Sequence, residues 1–158
     1  MPDQLETQLR YFDDACTDAI GLWKSYSARQ WELQAEWTIE TVKHLAIVNG
    51  GGVAGAATLL SGEPTGALKA ALLLFTFGLV FAVLDFYLNS VGYQKRAVDA
   101  DGRARDLRGT VTWSGLTTVS NRSTDPAGRW FPIAECIGWL SALLCLAGVA
   151  CLIYHLVR

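Results

Sequence analysis

Seven bases gather between residues 91 and 131: Lys95, Arg96, Arg103, Arg105, Arg108, Arg122 and Arg129, against Asp99, Asp101, Asp106 and Asp125. Guanidinium groups pair phosphate oxygens in a fork, and an indole offers a face on which a base can stack. Lys95, Arg96, Arg103, Arg105, Arg108 and Trp113 are therefore the expected receptor for an anionic ligand, a nucleotide or a single-stranded oligonucleotide. A plainer reading of the same bases is that they set membrane topology and touch anionic lipid heads. Asp99, Asp101, Gly102 and Asp106 approximate a calcium loop, but the liganding positions are incomplete and arginines intervene.

A second polar set lies beside or within apolar runs: His44, Asn49, Asp85 and Glu135. An acid at membrane depth is costly and usually faces protein or water, so these four predict a polar girdle at the mouth of a pore. Otherwise Asp85 and Glu135 reach the headgroup region, or pair with Lys43, His44, Lys95 or Arg129. Enzymatic chemistry is not expected, and neither is a cofactor. The two histidines, His44 and His155, fall at opposite membrane faces, and there is no glycine-rich phosphate loop, metal-spaced cluster or serine in a nucleophile setting. Cys16, Cys136, Cys145 and Cys151 read as packing groups, without zinc spacing.

These groups must be positioned by elements built partly for lipid. Apolar residues make up 51% of the 158 and charged residues 18%, against about 25% charged in a typical soluble domain. Leu45 to Ser61 holds 17 residues without a charge, enough for about 26 Å of helix. Ala70 to Leu88 is interrupted only by Asp85, and Ile133 to Tyr154 only by Glu135. A chain this short has too little other surface to cover three all-round apolar helices, so they are expected to span a membrane at 45–61, 66–90 and 132–157.

The connection Ser61 to Gly66 has no Lys or Arg, whereas the 91–131 loop has seven. By the positive-inside rule the amino terminus and the basic loop are expected in the cytoplasm, with the carboxyl terminus outside an inner (plasma) membrane. The first forty residues lack the apolar core of a cleavable signal, so the first span is expected to serve as the anchor.

Residues 1–44 carry a heptad seam: Leu5, Leu9, Phe12, Cys16, Ala19, Trp23, Tyr26, Gln30, Leu33 and Trp37 recur at alternating steps of 4 and 3. No proline interrupts Asp3 to Ser61, and an unbroken helix there would extend roughly 85 Å. The seam is covered either by the 91–131 loop or by another copy. The loop is rich in glycine and arginine and poor in apolar mass, so another copy is expected, with Leu9, Phe12, Trp23, Tyr26, Leu33 and Trp37 packing between subunits. Small-residue pairs in the first span, including Gly51 with Gly55 and Gly52 with Ala56, predict a helix central to the bundle, and the Leu-rich second span one that meets lipid. Gln94 to Arg108 is expected as a short helix or hairpin, and Thr110 to Ser120 as a short strand or packed turn.

The whole is expected to be an all-α membrane protein: a long amphipathic helix and three transmembrane helices assembling as a homo-oligomer. A small multi-pass chain with a cytoplasmic sensing part resembles the membrane effectors of bacterial antiviral defence that answer nucleotide or oligonucleotide signals. That resemblance implies a pore gated by an anionic ligand. The three spans also look somewhat like a phage holin, although the inferred topology departs from the common holin arrangement. The alternative is a membrane scaffold or accessory subunit whose amino-terminal helix binds a cytoplasmic signalling protein.

Overall fold

Helices stop in this chain where glycine and proline accumulate, around Gly62 and Pro64, at Gly109, and around Pro126 and Gly128. The computed structural model describes residues 2–62, 64–123, 125 and 127–157, in backbone alone at 2, 3, 37–39, 41 and 42. Its described residues form four helices and no strand: α1 (Pro2–Gly62), α2 (Gly66–Arg108), α3 (Trp113–Ser120) and α4 (Trp130–Val157). Gly21 and the glycines at 50–52 do not break α1, because internal hydrogen bonding is continuous through them.

Two departures from expectation concern the basic segment. It is not a loop, since α2 continues through Arg96 and Arg103 to Arg108. Thr110 to Ser120 contains no strand: Thr112 caps α3, its hydroxyl accepting the Gly115 N–H at 3.1 Å. The β-branched threonines that suggested a strand turn their hydroxyls back onto helix carbonyls, as Thr117 and Thr118 do to Ser114.

The chain divides into two units. The first comprises residues 1–34 and 92–127, where α1 runs antiparallel to α2 and α3 closes one end. Cys16, Leu107 and Leu116 form its core, with Phe12, Ala15, Ala19, Ile20, Trp23 and Val119 packed around them. Ala97, Ala100 and Ala104 are buried along α2, and Ser27 Oγ donates to the Ala97 carbonyl at 3.2 Å.

Part of the amino-terminal seam is thus covered by its own chain, through the 91–131 segment. Leu107, Leu116 and Val119 supply that cover, with Ala97, Ala100 and Ala104 buried along the same helix α2 as Leu107. Small side chains let helix backbones approach closely, so they seal a seam without apolar bulk. Phe12, Cys16, Ala19, Trp23, Gln30 and Leu33 are buried or half-buried, Leu5, Leu9 and Tyr26 are exposed, and the Trp37 side chain lies outside the described residues.

The second unit comprises residues 35–91 and 128–158. Here α2 runs antiparallel to both α1 and α4, and all three helices are long and apolar enough to cross a membrane. Phe75 is the central knob: its ring is received between Gly52 of α1 and Gly148 of α4, beside Ala56 and Ala71. Helix α2 touches both neighbours through Phe75, α1 reaches α4 through Asn49 and Ser141, and Gly50, Gly51 and Gly55 of α1 have open space before them.

Candidate anion-binding site

Four guanidinium groups converge on one cleft of the first unit: Arg29 of α1, Arg96 and Arg103 of α2, and Arg122 beyond α3. Helical spacing explains the convergence, because Arg96, Asp99 and Arg103 share one face of α2, and Trp23, Tyr26 and Arg29 share one face of α1. The cleft encloses about 680 Å³, within the rough range of 300–1,000 Å³ for small-molecule sites. Two carboxylates, Asp99 and Asp125, line it with them.

The arginines are held in different ways. The Arg103 side chain is only 6% exposed, donates from Nε to Asp99 Oδ2 at 2.7 Å, and lies 4.6 Å over the Trp23 ring. Trp23 in turn meets Tyr26 edge-on at 5.9 Å. Burial, the short bond and the cation–π contact make Arg103 part of the cleft's wall. Arg96 grips Asp125 with a fork, Nε to Oδ1 at 3.3 Å and Nη2 to Oδ2 at 2.6 Å. Arg122 pairs with Asp106 at 2.9 Å, and Arg29 with Glu32 at 3.2 Å, both largely in solvent.

The hydrogen bond from Arg96 holds the Asp125 carboxyl below the usual carboxylate range, opposed by partial burial and aided by the Ala127 N–H at 3.0 Å. The same bond raises the Arg96 guanidinium. A depressed carboxyl contributes stability that is present above its unfolded value of about 3.9 and is lost as pH falls through its lowered folded value. Acidification through that range is expected to release the Ala127 amide, read by NMR as an amide shift titrating with the Asp125 carboxyl. An Ala127 shift independent of that titration would contradict the linkage. Elsewhere in the unit, burial and Asp13 push the Cys16 thiol up, as suits a protonated packing group.

Of the residues that spacing proposed, Arg96 and Arg103 line the cleft. Lys95 lies beside it on α2 with Gln94, Val98 and Asp99. Arg105 and Arg108 are exposed and outside the cleft lining. Trp113 instead packs on Tyr11 and Phe12, with ring centroids 5.6 and 5.1 Å apart. Arg29 and Arg122 were missed, and Trp23 and Tyr26 were assigned to packing between copies. The signal that finds three of these is the i, i+3, i+6 run Trp23, Tyr26, Arg29. Arg122 has no comparable signal, because it arrives through a turn.

The four girdle residues are not gathered. Asn49 and Asp85 are buried within the second unit, whereas His44 and Glu135 are exposed. Asn49 Nδ2 donates to the Leu45 carbonyl at 3.0 Å and to Ser141 Oγ at 3.5 Å, and Ser141 Oγ donates to the Gly78 carbonyl at 2.7 Å. Asp85 accepts from Asn89 Nδ2 at 2.8 Å and lies against Gly138. Gly78 and Asp85 stand about two turns apart on α2, so even the two buried members serve separate helix contacts. Among the described residues no group of three or more His, Cys, Asp or Glu is placed to hold a metal. Comparison with protein-family models, curated proteins and solved structures found no match.

Proposed function

We propose that this chain is an integral membrane effector whose first unit, on the cytoplasmic side, receives an anionic ligand in the arginine cleft, and whose three spans form a channel-like assembly that answers it. The observation that carries the reading is the convergence of Arg29, Arg96, Arg103 and Arg122 beside Trp23 and Tyr26. A ligand gates only by binding one state better than another. The units share α1 and α2, so a change at Arg29 or Arg96 acts on helices that also build the membrane bundle. Resemblance to membrane effectors of bacterial antiviral defence puts nucleotides and short oligonucleotides first among ligands.

Phe75, Asn49 and Ser141 occupy the interior of the single bundle, so a conduit would lie between copies. Copies would meet through the open face of Gly51 and Gly55 and through Leu5, Leu9 and Tyr26, which stay exposed. The cover that the chain itself gives Phe12, Cys16 and Trp23 favours a second reading, a ligand-binding accessory subunit that works without a second copy.

Dye release from liposomes holding the purified protein separates the readings. Adenosine 5′-monophosphate or a short 5′-phosphorylated oligonucleotide is expected to change release in the wild type and not in Arg29→Ala/Arg122→Ala. Vesicles that stay sealed under every ligand, with the protein monomeric in detergent, would favour the accessory subunit.

A further inference from the structure

We propose that the ligand of the arginine cleft carries a terminal phosphate dianion, which takes the place of the Asp125 carboxylate in the Arg96 fork. The proposal rests on the anion-binding reading above and names the chemistry of its ligand.

Asp125 already shows how an anion sits there. Its two oxygens engage Arg96 through Nε and Nη2, the paired geometry that a phosphate also offers. The two acids of the cleft differ in how firmly they are held. Asp99 pairs with the buried Arg103, stacked on Trp23. Asp125 belongs to the segment following α3, and the Arg96–Asp125 pair is 31% and 45% exposed. The neighbouring Arg122–Asp106 pair is 44% and 48% exposed. Exposed ion pairs are weak in water, so Asp125 is the exchangeable occupant and Asp99 the fixed one.

Charge then selects the form of phosphate. With Asp125 displaced, the Nε and Nη2 donors of Arg96 turn to the incoming anion, while Arg103 keeps Asp99, Arg122 keeps Asp106 and Arg29 keeps Glu32. A monoester phosphate carries close to two negative charges at neutral pH, against one for an internal diester, and so competes better with the singly charged Asp125 for the Arg96 fork. Arg122 and Ser123 line the same cleft and supply further donors, while Leu22 and Tyr26 offer apolar surface to whatever the phosphate is attached to. A mononucleotide, an oligonucleotide with a phosphorylated end, and a lipid with a phosphomonoester head share this chemistry.

The test measures binding to the full chain in detergent, with four probes: adenosine 5′-monophosphate, a dinucleotide with only an internal diester, phosphatidic acid and phosphatidylglycerol. At least one monoester is expected to bind about tenfold more tightly than its diester counterpart. Preference within the nucleotide pair points to a soluble ligand, and within the lipid pair to a headgroup; either supports the proposal. Asp125→Asn, which removes the internal competitor, is expected to bind the preferred monoester about tenfold more tightly still. In the wild type, hydrogen exchange at the Ala127 amide, now held by Asp125 Oδ1, is expected to quicken on binding, which covers the case in which the variant misfolds. Equal binding of monoester and diester, a folded Asp125→Asn with unchanged or weaker affinity, or an Ala127 amide that stays protected would each overturn the displacement while leaving the anion cleft standing. Failure of all four probes to bind either protein would remove the cleft reading as well.

Discussion

Gly52→Ala is expected to destabilise the membrane unit by about 1–3 kcal/mol, the usual effect of forcing a methyl group into a packed contact. A Cβ at residue 52 would fall on the Phe75 ring, and the ring cannot retreat because Gly148 closes its other side, where a Cβ would lie 2.9–3.0 Å from it. Gly51→Ala and Gly55→Ala, one position before and three after, are expected to leave packing within the chain unchanged in the detergent-held monomer, since nothing in the chain lies within 4 Å of either. Phe75→Leu should relieve Gly52→Ala, so that the double variant loses less than the two single losses together. Thermal unfolding in detergent, followed by circular dichroism, reads the four single variants and the double one. Equal effects at Gly51 and Gly52 would contradict the assignment of the Phe75 contact to a single face of α1.

Arg103→Ala is expected to destabilise the first unit by about 1.5–3 kcal/mol, the contribution of a hydrogen bond between charged groups, because Asp99 loses its buried donor. The Asp99 side chain is 23% exposed, and Trp23 would lose the guanidinium stacked over it. Arg103→Lys keeps the charge but not the plane or the fork, and is expected to recover only part of the loss. Tryptophan fluorescence during denaturation provides the measurement; a wild-type midpoint for Arg103→Ala would show that the stack and the ion pair contribute nothing. A practical consequence follows for ligand studies. A combined change of Arg103, Arg105 and Arg108 mixes a folding defect with two residues outside the cleft lining. Arg29 and Arg122, with largely exposed ion pairs, are the informative positions.

The all-helical character and the three long apolar helices were legible from composition and charge-free runs, since nothing else forms from such stretches without glycine and proline to stop it. The heptad seam of α1 was legible as a seam but not for its partner. Ala97, Ala100, Ala104 and Leu107 repeat at steps of 3, 4 and 3, yet amid arginines and aspartates they read as loop composition. Each alanine buries little area, and its value lies in how closely it lets α1 approach. The arginine cluster was visible as a block of charge, but linear density does not tell which guanidiniums converge. That depended on α2 continuing as helix, which places Arg96 and Arg103 on one face and Arg105 and Arg108 off it, and on Arg122 returning through a turn. Asn49 and Asp85 were rightly singled out as costly groups in an apolar setting. Their partners, the Leu45 carbonyl, Ser141 and Asn89, include a backbone group and a small residue that pattern alone does not mark.

Equilibrium binding of adenosine 5′-monophosphate to the purified chain, compared with Arg29→Ala/Arg122→Ala, tests the cleft most directly. Charge-assisted hydrogen bonds contribute about 1.5–3 kcal/mol each, so removing two donors is expected to weaken binding by at least about tenfold while the thermal midpoint stays within a degree or two of the wild type, on the order of a surface substitution. Saturable binding lost in this way is the predicted result. The same affinity in both proteins, or no saturable binding to the wild type, would contradict the account.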